Sequence, residues 1–126
     1  MVGGAERAVT KAMRVARAGY RGLEMGRVVE REGRGCGYSV GRDRGGHGMG
    51  RTIHEEPRVP NYADPEASQF LTEGLVITVE PIIAAGSGRA VVAADGWTVR
   101  TADRRASAHF EHTVVITQGE PILLTA

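Results

Sequence analysis

The chain has 126 residues, the length of one domain, with 16 Lys plus Arg against 15 Asp plus Glu and a formal net charge of +1. That balance excludes a strongly basic nucleic-acid binder and a polybasic membrane-surface protein, and 41% hydrophobic with 25% charged residues excludes an intrinsically disordered chain. The single cysteine, Cys36, cannot form an intrachain disulfide and reads as a reduced thiol in a cytoplasmic protein. No apolar run reaches the roughly 18 residues of a membrane span. Aromatics are only 5%, so the core must be built from Val, Ile, Leu, Met and Ala.

In chain order, the apolar positions Ala8, Val9, Ala12, Met13, Val15 and Ala16 recur at helical spacing and predict a helix over 5–18, with Gly19 as its C-cap. The start is Arg-rich, but Glu6 and this spacing mark an ordinary helix rather than a targeting segment. A weaker pattern (Met25, Val28, Val29) predicts a second helix over 22–32, with Gly26 counting against it. Beyond Gly33 the pattern turns to short extended pieces. A strand is expected over 36–42, a glycine loop over 45–50, extended chain over 51–55, and a surface loop through Pro57, Pro60 and 61–65. Residues 75–80 read as a strand stopped by Pro81, Asp95-Gly96 as a hairpin turn, and 108–117 as the last strong strand. Helices followed by an antiparallel meander define an α+β class.

Chemistry concentrates in a few residues. His47 sits between glycines, where little bulk hinders a ligand; on its own it also reads as a solvated loop residue. His54 heads a His-Glu-Glu-Pro run that is not the helical zinc-protease motif, because Pro57 breaks the helix which that motif needs. Glu80 ends an apolar strand, where a carboxylate needs a partner or solvent. Glu111 alternates with Thr113 and Val115 on one strand face, while His112 points the other way with Val114 and Ile116. His109 and His112 read as strand-face histidines satisfied by neighbours. One imidazole and two strand carboxylates form a mixed nitrogen and oxygen set that suits a divalent first-row metal. No P-loop and no nucleophile elbow occurs, and Cys36 has no local histidine.

Four segments in order, GGHGMGRTIHEEPRVPNY, LTEGLVITVEPI, DGWTVRTAD and SAHFEHTVVIT, resemble the C-terminal half of type I methionine aminopeptidases. The resemblance runs from about residue 12 to the end. It implies the C-terminal half of a pita-bread fold, with helices packed on a curved, mainly antiparallel sheet. Residues 1–126 would then be one incomplete catalytic domain. By position, His47, Glu80 and Glu111 match metal ligands, with Glu80 also the general base and Glu111 bridging two ions. His54 matches the histidine that contacts substrate near the scissile carbonyl, and Trp97 matches a residue lining the methionine pocket. In bland terms Trp97 is a hairpin-flanking aromatic. Ile53 stands where the family has a bulkier Met or aromatic residue.

The resemblance further implies two divalent ions per complete site (Co, Mn, Fe or Zn) and a peptide or nascent protein with N-terminal Met as substrate. It implies no nucleic-acid or membrane partner, and either a missing N-terminal half or self-association. The family draws two ligand aspartates and a further histidine from its first half. The only aspartates here are Asp43, Asp64, Asp95 and Asp103, which match other family positions. Three of five ligands are therefore present, and the isolated chain is expected to be weakly active or inactive. The alternatives are a proline-specific peptidase of the same fold and a non-catalytic binding or scaffold module.

Overall fold

The computed structural model describes residues 1–125. Two helices, α1 (Val2–Met13) and α2 (Gly22–Gly35), precede ten short strands. The strands are β1 (Ser39–Val40), β2 (Gly46–Gly48), β3 (Glu55–Val59), β4 (Val76–Val79) and β5 (Ile82–Ala84), then β6 (Ala90–Val92), β7 (Val99–Thr101), β8 (Ser107–His109), β9 (His112–Val115) and β10 (Ile122–Leu123). They form a five-stranded sheet in the order β10-β9-β4-β2-β3, a three-stranded sheet β1-β5-β8 and a hairpin β6-β7. Every pairing is antiparallel, and the α+β expectation holds.

The helices pack on the sheets through small residues. Ala5, Ala8, Val9 and Ala12 of α1 are buried, with Met25, Gly26, Val29 and Gly33 of α2. They close over Ile77 and Val79 of β4, Ile83 of β5 and Val114 and Ile116 on and just beyond β9. The approach is close enough that a Cβ on Gly33 would lie 2.9 Å from Val40 Cγ1. At the outer edge of the helix pair, Lys11 and Arg7 donate to the Glu32 carboxylate, and Lys11 foremost holds that carboxyl below its usual range.

Several expected boundaries move, each for a tertiary reason. α1 ends at Met13 rather than at Gly19: residues 14–16 tighten into i→i+3 turns, after which the Ala18 N–H donates to Thr117 O and the Gly19 N–H to Leu71 O. The chain is captured by its neighbours before the helix can continue. α2 runs on to Gly35, and the strand expected over 36–42 shrinks to Ser39–Val40. The glycine stretch contains a strand, β2, because its glycines let three backbones approach: a Cβ on Gly46 would collide with Thr78 O, and one on Gly48 with Glu56 O. Pro57 lies inside β3, which it can do because β3 is the sheet edge and the missing N–H is not needed there. Asn61 and Asp64 are buried rather than on a surface loop.

Candidate active site

One relationship builds the site. The β4–β9 register pairs Thr78 with Thr113 and Val79 with His112. The β5–β8 register pairs Ile82 with His109. The same register carries through the gap between them, so Glu80 stands opposite Glu111 and Pro81 opposite Phe110. At this point both strands leave the five-stranded sheet and enter the three-stranded one. The two carboxylates occupy the corner where the ladder changes sheets, and alternation turns Thr78, Glu80, Glu111 and Thr113 to one side while Ile77, Val79 and Val114 face the core.

On that side lies a cavity of about 520 Å³, whose wall includes His47, His54, Thr78, Glu80, Glu111 and Ile53. β2 contributes His47 between two buried glycines, and its N–H donates to Thr78 Oγ1 at 3.0 Å. His47 Nδ1 lies 2.9 Å from Gly48 O. A carbonyl only accepts, so Nδ1 carries a proton, and the tautomer this contact selects leaves Nε2 as the ligating nitrogen. The turn between β2 and β3 folds back to set His54 against His47, with ring centroids 4.4 Å apart. Glu80 is pushed above the usual carboxylate range by burial first and then by Glu111, against the pull of His109, His47 and Arg44. Such a carboxyl holds a proton more readily than an exposed one.

Four of the five residues expected from the sequence therefore share one cavity. Trp97 stands apart: it is 88% exposed at the β6–β7 turn, outside this wall. Asp95 Oδ1 accepts the Trp97 and Thr98 N–H groups there, and Gly96 has φ of +70°. Sequence reasoning passed over Thr78, although its i, i+2 relation to Glu80 places both on one strand face. It also passed over Asp43, whose Oδ2 accepts the Ala90 N–H at 2.8 Å and ties the β6–β7 hairpin to the cavity wall. No local pattern signals a partner so distant in sequence.

The donor set fits a divalent cation in kind, with one free imidazole nitrogen and two opposed carboxylates that repel one another until a cation intervenes. It does not close on an ion unaided: among the described residues no three His, Cys, Asp or Glu side chains stand close enough to hold one.

The chain belongs to metallopeptidase family M24, whose family model matches residues 4–118. It is 43% identical over 122 residues to methionine aminopeptidase 2 of Bacillus subtilis, covering 96% of this chain and 49% of that protein. It is 40% identical over 114 residues to the Escherichia coli K12 methionine aminopeptidase, covering 90% and 43%. The methionine aminopeptidase structure from Rickettsia prowazekii superposes with a TM-score of 0.91 at 36% identity, covering 98% of this chain and 50% of that one. Prolidase from Pyrococcus furiosus gives 0.72 at 26% identity, covering 99% and 31%. The chain thus spans about half the length of the curated relatives it matches. The methionine-aminopeptidase resemblance and the pita-bread half-fold are borne out, and the family is one of metal-dependent hydrolases. No helix among the described residues is long and apolar enough to cross a membrane.

Proposed function

We propose that this chain carries the C-terminal part of a methionine aminopeptidase active site, as an incomplete catalytic domain over 1–126 acting in the cytoplasm on peptides or nascent proteins with N-terminal Met. The observation that carries the reading is the placement of His47, Glu80 and Glu111 around one cavity with His54 at its side. His47 through Nε2, Glu80 and Glu111 would hold the metal, two ions of Co, Mn, Fe or Zn in the complete site, with the remaining donors coming from a complementary half. A divalent metal there supplies Lewis acidity toward the scissile carbonyl and makes water acidic enough to react near neutral pH. The chain's own residues do the rest. Glu80 takes the proton from the attacking water and passes it to the leaving amine. His54 donates a hydrogen bond to the carbonyl oxygen as charge develops there. Trp97 would reach the methionine pocket only when a partner half folds over the β6–β7 hairpin.

Calorimetric titration with Mn²⁺, Co²⁺ and Zn²⁺ tests this. Weak binding is expected, abolished by His47→Ala. Methionyl-peptide hydrolysis should be near zero for the chain alone and should appear when the N-terminal half of a relative is added. Full activity of the chain alone, or no metal binding in either state, would sink the proposal.

The second reading, a non-catalytic module of the same fold, is favoured by one observation: the donors do not close on an ion unaided. It is the outcome if added N-terminal half binds but no metal-dependent hydrolysis follows.

A further inference from the structure

Three arginines stand in the cavity wall, and two are committed elsewhere. Arg42 donates to Glu30 Oε1 at 3.3 Å and lies 4.6 Å from the Tyr62 ring centroid. Arg58 Nη1 lies 3.4 Å from Asp64 Oδ2. Arg44 enters no ion pair among the described residues, and the polar contact it makes is through its carbonyl. That carbonyl accepts from Nδ2 of the buried Asn61 at 3.1 Å. The next residue, Gly45, is packed so closely that a Cβ there would lie 2.8 Å from Val59 O. The backbone that carries Arg44 is therefore held on its C-terminal side while the residue itself is exposed. Arg44 lines the same cavity as Glu80 and Glu111, so it stands on the carboxylate side rather than out on the far surface.

A guanidinium presents a planar fork of donors that matches a carboxylate bidentately. A substrate ammonium is repelled by the fixed positive charge of Arg44. The part of a bound peptide that faces Arg44 is consequently its leaving side. We propose that Arg44 forms a carboxylate subsite at the rim of the cavity, selecting peptides that carry an acidic group shortly after the first peptide bond. The inference rests on the peptidase reading for the orientation of the substrate. The carboxylate can come from an acidic side chain or from the free C-terminus of a short peptide.

Amide-shift titration of the isotope-labelled chain, followed at Gly45, Gly46 and His47, tests it with five probes: Met-Ala-Asp-amide, Met-Ala-Asn-amide, Met-Ala-Gly as free acid, Met-Ala-Gly-amide, and acetyl-Ala-Asp-amide. The Asp peptide is expected to bind about two- to fivefold more tightly than its Asn counterpart, the range of an exposed ion pair. Arg44→Gln should erase that preference and Arg44→Glu should reverse it; retained dispersion of the amide spectrum confirms that both variants fold. A preference confined to the Gly free acid over its amide, and lost in Arg44→Gln, assigns the subsite to C-termini of short peptides. Should acetyl-Ala-Asp-amide bind as well as the methionyl peptides, still in an Arg44-dependent way, the subsite stands and the peptidase reading falls. Equal binding of acidic and neutral probes, or a preference that survives Arg44→Gln, overturns the subsite and leaves the peptidase reading intact. No response to any probe overturns the subsite and leaves the peptidase reading to the metal titration.

Discussion

The rings of His47 and His54 stand 4.4 Å apart and tilted by 56°, one from a strand flanked by buried glycines and the other from an exposed turn. They are neighbours with different chemistry. His47 has its Nδ1 proton engaged by Gly48 O and presents a lone pair; His54 is free to donate.

The two histidines should therefore separate on mutation. His47→Ala is expected to remove metal binding, read by calorimetry. His54→Ala should leave metal affinity within about twofold, yet lower turnover of the complemented enzyme on the order of 10²-fold, as the loss of one donor to a developing oxyanion does. Equal loss of metal affinity in both variants would contradict this division.

Glu80→Gln should stabilise the metal-free chain at neutral pH. Burial and Glu111 raise the Glu80 pKa in the folded state, so folding disfavours its ionised form. Below the ordinary carboxylate range the side chain is neutral in both folded and unfolded states, and the variant gains nothing. As pH rises through the ordinary value and then the raised one, wild type loses stability that the Gln variant keeps. Thermal unfolding across pH 3–8 in chelator, an interval about the carboxylate range and above it, should show curves that coincide in acid and separate toward neutrality. Curves separating in the opposite direction would refute the assignment.

Gly46→Ala tests the backbone approach behind the site. The new Cβ would meet the Thr78 carbonyl and crowd Val59; the first cannot retreat without breaking the β2–β4 pairing, nor the second without breaking β2–β3. A loss of roughly 3 kcal/mol or more is expected, beyond ordinary overpacking because the obstacle is backbone. Urea denaturation measures it. Gly35→Ala, where a Cβ meets nothing within 4 Å, is the control expected to be neutral or slightly stabilising because it sits at a helix end.

Asp43→Ala should loosen the β6–β7 hairpin without unfolding the chain. The hydrogen bond from Ala90 is exposed, and its net worth is about 0.5–1.5 kcal/mol. Hydrogen exchange should accelerate at Ala90 and along the hairpin, with the amides of β4 and β9 unchanged. Uniform acceleration across both would mean that Asp43 supports the whole fold instead.

Much of this arrangement was legible in the sequence because strands carry a period of two. Alternation over 75–80 and 108–117 placed Glu80 and Glu111 on strand faces, and Asp95-Gly96 announced its hairpin. What escaped is tertiary. Nothing local in Gly46-His47-Gly48 distinguishes a flexible loop from a strand whose glycines admit neighbouring carbonyls. Pro57 reads as a strand breaker until β3 is known to be an edge. Ala18 and Gly19 leave the helical path because Thr117 and Leu71 bid for their N–H groups. Donor convergence was hidden for the same reason, since it depends on a ladder continuing across two sheets.

The opposition of Glu80 and Glu111 at that corner makes the chemistry hostage to alignment. A slip of β4 by a single residue would turn Val79 into the cavity and send Glu80 toward Ile83 and the helices, because side chains swap faces at every step. A misaligned sheet could keep nearly all its backbone hydrogen bonds and still present an oily, ligand-free cavity. Affinity for a cation thus reports whether the strands have found their native alignment, and metal added during refolding would favour the one pairing among near-degenerate neighbours that can bind it.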